Sequence, residues 1–248
     1  MDKAIKWFHD NKLTVNIEKS CAIAIGTQQR LKNQTEQLSI SIGNANLSLV
    51  ETIKYLGVTI DDNISWNQHV NNLCSKISPR IELLRKLKYK LPTEQLITVY
   101  QSIIHFDYCI SVWGYTSKRN VKLLQRLQNR AARIITGKYD WNLSASQILM
   151  DLGWMNINQR IDYFTTLLTF KALNGFTPNY ISETLHTQES SYNFRNTHEN
   201  DLIVPRVNLE VLKKSFTYNA PKKWNILSLN VRQSNTVDTF KTRYKVLI

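Results

Sequence analysis

Two adjacent carboxylates, Asp61 and Asp62, are the first residues of this chain whose pairing invites a chemical reading. Paired acids serve phosphoryl transfer when carboxylates from separate strands converge on metal ions about 4 Å apart. Here both acids sit at the far end of one short run, and the other acids near them, Glu51 and Glu18, belong to no supporting motif. With Asn63 the pair reads instead as a turn, placed where negative charge favours the N-terminus of the helix that follows.

The cations are more telling. Between residues 76 and 138 stand thirteen Lys and Arg against three acids (Glu82, Glu94 and Asp107), so most of the chain's formal net charge of +13 falls in a quarter of its length. Arg119, Lys122, Arg126, Arg130 and Arg133 recur at intervals of 3, 4, 4 and 3. On a helix that spacing makes one stripe, while Leu124, Leu127, Ala131 and Ile134 make another, roughly 120° around. No acid interrupts the basic stripe, and like charges at this spacing repel unless something compensates them. One face is therefore expected in the core and the other against polyphosphate, with nucleic acid as the partner. Phosphate contacts carry no sequence information, so no preferred sequence follows. The six tryptophans are scattered over many elements, which suits core packing better than base stacking.

The elements that must position these residues change character near residue 60. Ile5 and Phe8 share a face of a short helix ending near Asn11. Leu13, Val15 and Ile17, then Ala22 to Ile25, read as strands, with Gly26 closing the second and residues 27–36 a polar loop. Ile40–Ile42 and Leu47–Leu49, separated by Gly43-Asn44-Ala45-Asn46, predict a hairpin. Leu56, Val58 and Ile60 predict a further strand with Gly57 inside it, a position that marks a bulge or a close backbone approach. Ser65 and Gln68 then predict a capping box.

Beyond it the period becomes helical. Val70, Leu73, Ile77, Ile81, Leu84 and Leu87 form a stripe that Pro79 should kink or split. Pro92 opens a second helix, and a third is predicted over 118–136 with Gly137 as its stop. Further helices are expected at 144–151, 157–173, 178–185 and 236–247, with a polar linker at 186–205 and a β-like run at 214–219.

Bulk properties narrow the class. A 42% hydrophobic chain of 248 residues with eleven Tyr is globular. A sequence pI of about 9.6 favours a polyanion. Three scattered cysteines, Cys21, Cys74 and Cys109, suggest a reducing compartment, and no Cys/His cluster has zinc spacing. No apolar run is long enough to span a bilayer, so no membrane partner and an intracellular location, nucleus or cytoplasm, are expected.

The stretch Tyr55-Leu56-Gly57-Val58-Thr59-Ile60-Asp61, followed by Trp66 and His69-Val70, resembles the segment after the polymerase active site in non-LTR (LINE-type, jockey-like) retrotransposon reverse transcriptases. Upstream, Trp7, Asn11, Leu13, Asn16, Lys19 and Ser20 resemble the family's Asn-x-Leu-x-x-Asn-x-x-Lys-Thr pattern, with Ser in place of Thr. Downstream, Tyr108, Trp113-Gly114, Arg130, Arg133, Leu152-Gly153-Trp154, Trp224-Asn225 and Phe240-Lys241 keep the family's order. Five residues lie between Tyr55 and Asp61, so this is not the family's Tyr-x-Asp-Asp hairpin.

The resemblance implies that Lys19 lies beside the incoming nucleotide as a general acid for pyrophosphate, and that Leu56, Gly57 and Val58 form a primer grip. On the residues alone, Lys19 is a solvated lysine between two strands. The expected fold class is α+β, a small antiparallel sheet followed by a mainly helical region. By resemblance, 1–64 is a remnant of the palm, 65–185 a thumb-like region and 186–248 a linker with a small appendage. The implied function is a truncated RNA-directed DNA polymerase that keeps template–primer binding, to an RNA–DNA or DNA duplex, without the catalytic metal site. The chain itself would bind no cofactor, since Mg²⁺ belongs to the complete parent enzyme and its missing palm. A stand-alone nucleic-acid-binding protein derived from such an element, or an inactive remnant or interaction protein, are the alternatives.

Overall fold

The structure, a computed structural model, describes residues 2–34, 39–42, 45–140, 142–187 and 201–247. The expected hairpin tip at Gly43-Asn44, Trp141 and most of the linker lie outside them. The chain divides into two compact units, Met1–His69 and Val70–Ile248. The class is α+β, with short two-stranded pairings in the first unit and helices throughout the second.

In the first unit, α1 (Asp2–Asp10) is followed by a 3-10 turn at Ile17–Lys19, which Asn16 caps by accepting the Lys19 N–H at 3.1 Å. Strand β1 (Cys21–Ala22) precedes α2 (Gln28–Gln34), a helix where the sequence reads as a loop. Five further strands follow among the described residues: β2 (Ser41–Ile42), β3 (Ala45–Asn46), β4 (Ser48–Leu49), and the pair β5 (Thr52–Tyr55) and β6 (Val58–Asp61). With β1 they form three separate pairs among the described residues. β2–β3 and β5–β6 are antiparallel, and β1–β4 is parallel.

Val58 to Asp61 pair back on Thr52 to Tyr55, so the predicted strand through Gly57 is instead a hairpin with Leu56-Gly57 as its two-residue loop. Both loop residues have positive φ, 45° and 86°. That is the signature of a primed turn, whose twist matches the strands it joins and which favours glycine at its second position.

Asp61 closes this unit's last strand. Its carboxylate accepts the Ser65 N–H at 2.7 Å, the Trp66 N–H at 3.3 Å and the Ser65 hydroxyl, and it is buried. Those bonds hold Ile64 and Trp66 at positive φ just before α3 (Asn67–Leu87). Ser65 caps that helix by accepting the Asn67 N–H at 3.2 Å.

In the second unit Val70, Ile77, Ile81 and Leu84 of α3 are fully buried. Pro79 is exposed and the helix runs through it unbroken. Helices α4 (Thr93–Ile103), α5 (Ile110–Trp113), α6 (Lys118–Thr136), α7 (Ala145–Asp151), α8 (Ile157–Leu173) and α9 (Asn179–Ser182) follow. The C-terminal helices are α10 (Glu210–Lys213), α11 (Phe216–Asn225), α12 (Leu229–Arg232) and α13 (Val237–Lys245). The β-like run 214–219 is thus the start of α11, with the Ser215 hydroxyl accepting the Tyr218 N–H as its cap.

The central element is α8. Its Tyr163, Leu167 and Phe170 share one cluster with Trp224 of α11 and with Phe240 and Tyr244 of α13. Phe170 and Phe240 stack with centroids 4.7 Å apart. Each such side chain, fully buried, contributes about 1.5–3 kcal/mol. The C-terminal helices therefore complete the core of this unit.

Candidate nucleic-acid interface

The basic stripe sits on α6, whose ends are fixed by local chemistry. The Ser117 hydroxyl accepts the Asn120 N–H at its start, and Gly137 donates its N–H to the Arg133 carbonyl at its end. Leu124, Gln128, Ala131, Ile134 and Ile135 are buried along one side. Buried Gln128 donates to the Met155 carbonyl and buried Asn120 to the Thr116 hydroxyl, each at 2.8 Å, so the polar groups inside this face are satisfied. A helix anchored in this way cannot rotate about its axis, and the stripe opposite is held outward.

The five stripe residues do not share one environment. Arg119, Lys122 and Arg126 are exposed, with no ion-pair partner among the described residues. Arg130 pairs with Glu82 of α3, which also holds Arg85 at 3.2 Å. Arg133 is half-buried and donates to the carbonyls of Leu143 at 2.9 Å, Asp140 at 3.2 Å and Lys138 at 3.4 Å. It ties down the segment after the helix. An acid from another helix does therefore reach the stripe, and its open charge narrows to three residues over its first two turns.

Other cations of the 76–138 segment are similarly engaged. Arg80 donates to the Ile103 carbonyl, Lys138 pairs with Asp151 at 2.7 Å, and Lys88 lies 4.6 Å from the ring centre of Tyr139. The structure also gathers residues that spacing did not select. Lys118 and Lys122 line a cavity of 460 Å³ with Lys223 of α11 and Asn158 of α8. Only the fold brings positions a hundred residues apart to one wall.

In the first unit Lys19 is exposed on its 3-10 turn. Leu56 is 74% exposed at the hairpin tip beside Gly57, while Val58 is buried. The Asp61 carboxylate is spent on Ser65 and Trp66, and among the described residues no group of three His, Cys, Asp or Glu side chains is placed to hold a metal ion.

Of the tryptophans, Trp66, Trp113 and Trp224 are buried, Trp154 stacks on Tyr100 with centroids 4.1 Å apart, and Trp7 is exposed. Among the described residues no helix is long and apolar enough to cross a membrane.

No family model and no solved structure matches the chain. Curated proteins do. The chain is 23% identical over 162 residues to a probable RNA-directed DNA polymerase from transposon X-element of Drosophila melanogaster, covering 63% of this chain and 17% of that protein. It is 28% identical over 118 residues to a probable RNA-directed DNA polymerase from transposon BS of the same species, covering 46% and 13%. It is 26% identical over 127 residues to the RNA-directed DNA polymerase from mobile element jockey of Drosophila funebris, covering 49% and 14%. The chain thus spans under a fifth of the length of these relatives. Over about half of its own length, at low identity, it is similar to the RNA-directed DNA polymerases of non-LTR retrotransposons.

Proposed function

We propose that this chain holds the template–primer duplex for a reverse transcriptase of a non-LTR retrotransposon, with the catalytic carboxylates and their Mg²⁺ supplied by a palm outside it. The observation that carries this reading is the exposed trio Arg119, Lys122 and Arg126, set on a helix whose other side is locked into the core. Three cations without acid partners among the described residues, on a rigid rod roughly 28 Å long, match a phosphate backbone, which presents regularly spaced negative charge. The similarity to RNA-directed DNA polymerases supports an RNA–DNA or DNA duplex as the ligand, and the RNA–DNA hybrid is the form to test first.

In the same reading Leu56 and Gly57 offer an exposed backbone turn against the primer end, with Val58 anchoring it. Lys19 is the general acid for the departing pyrophosphate once the palm is present. Binding of the intact chain to an RNA–DNA duplex tests the reading. Each phosphate neutralised on a duplex adds about 0.9 to the log–log salt slope, so three give a slope of about −2.7. Absence of binding at low salt, or a slope near zero, would overturn it. The chain alone is expected to incorporate no nucleotide with Mg²⁺ or Mn²⁺, and template-dependent synthesis by the homogeneous protein would contradict that expectation.

A further inference from the structure

Two cavities open along α6, and one residue, Asn158 in the first turn of α8, lines both. The first, of 460 Å³, takes Lys118 and Lys122 from α6 and Lys223 from α11. Its one acid, Asp162, is held by Lys223 at 2.7 Å. Lys118 and Lys122 are left without an ion-pair partner among the described residues. The second cavity, of 310 Å³, has no charged side chain in its wall. Asn129, Asn156, Asn158 and Gln159 line it together with Trp154 and Met150. The Gln159 side-chain oxygen accepts the Asn156 N–H at 2.8 Å, and that of Asn156 accepts the Gln159 N–H at 3.0 Å. Their amide NH₂ groups make no hydrogen bond among the described residues, and the same holds for both ends of the Asn158 amide.

At 100° per residue, Lys118, Lys122, Gln125 and Asn129 form a stripe roughly 90° around α6 from the line of Arg119, Arg126 and Arg130. Lys122 lies at the edge the two stripes share. Two cavities that share Asn158 in their walls, one cationic and the other amide-lined beside an indole, therefore lie next to the proposed duplex face. Cations beside unspent amide donors and an aromatic ring are the chemistry that recognises nucleotides of an unpaired strand. The ammonium groups take the phosphate, the carboxamides the free base edge, and the indole and thioether the base itself. A duplex keeps its base edges paired and stacked, and cavities of this size, near the lower part of the usual ligand range of about 300–1,000 Å³, admit single nucleotides rather than a double helix.

We infer that the two cavities act as one groove, which seats an unpaired stretch of nucleic acid continuous with the duplex on the α6 stripe. The inference rests on the duplex-holding reading and adds base contact to it.

Fluorescence anisotropy of the intact chain with three labelled probes tests it: an RNA–DNA duplex, a short oligodeoxythymidylate, and an abasic strand with the same number of phosphates. At one salt concentration the base-bearing strand should bind about ten-fold tighter than the abasic strand, the scale of one base contact. Asn158→Leu and Asn129→Leu should each remove most of that difference while leaving duplex affinity and its salt slope unchanged. Both variants need an intact circular-dichroism signal, and either alone suffices if the other unfolds. Equal binding of the two single strands, or a preference that survives in a folded variant, would overturn the groove. Duplex binding with the expected salt slope but no preference for bases removes the groove alone, whereas loss of duplex binding removes the duplex-holding reading as well.

Discussion

Arg126 and Arg133 lie on one helical stripe, yet one is open to a ligand and the other is fastened to its own backbone. Arg133 donates to three carbonyls after α6, whereas Arg126 is exposed. Arg133→Gln is expected to destabilise the fold by about 1–3 kcal/mol, because carbonyls lose charged donors, while leaving the salt slope of binding intact. Chemical denaturation with a parallel binding titration checks both halves; a flattened slope with unchanged stability would reverse the assignment. Spacing revealed the stripe. It could not reveal that Glu82, 48 residues before Arg130, reaches it from another helix. Nor could it show the Asp61 carboxylate closing onto Ser65 and Trp66, although the reading of Asp61 as a turn and helix-start residue agrees with those bonds.

Among the elements, those bounded by strong local signals were the most legible. The α6 limits, the Gly137 stop and the span of α8 follow from capping residues and an unbroken apolar period. The β5–β6 hairpin was not legible, because Leu56, Val58 and Ile60 alternate as a single strand would and only pairing shows the reversal. The start of α11 misled for a different reason. Phe216-Thr217-Tyr218 has strand propensity, which the Ser215 cap and the burial of Ala220 and Trp224 override.

Two glycines test these elements. Gly57→Ala places a side chain at φ 86° in the turn and should cost about 1–2 kcal/mol. Gly114 sits where α5 meets α8, and a Cβ there would stand 2.4 Å from the Ile110 carbonyl oxygen and 2.8 Å from Ile161 Cγ1. Gly114→Ala should therefore destabilise by about 1–3 kcal/mol through overpacking. A thermal midpoint for it equal to that of the unmodified chain would show that the two helices can separate at little cost.

At the scale of the whole molecule, stability should depend on alkaline pH through its buried phenols. Burial pushes the Tyr100 hydroxyl up to about 12, opposed in part by Arg160, and Tyr115 is raised as well, again chiefly by burial. An unfolded tyrosine loses its proton near 10. Between about 10 and 12 the unfolded chain therefore binds fewer protons than the folded one, and stability falls as pH rises through that window. The loss should be on the order of 1 kcal/mol per pH unit, seen as a falling urea midpoint above pH 10 and lessened in Tyr100→Phe.

The fold class and the helical second unit were readable because periodicity and charge are local properties. The cavity walls shared by α6, α8 and α11 were not, because no local pattern relates Lys122 to Asn158 or Lys223. The proposed duplex-holding role rests on the open cations of α6, and the salt dependence of binding by the Arg119→Gln, Arg126→Gln double variant tests it most directly. With two phosphate contacts removed, the log–log slope for an RNA–DNA duplex should flatten by about 1.8 with folding intact. An unchanged slope alongside an unchanged circular-dichroism spectrum would take this face out of the interface and contradict the duplex-holding role.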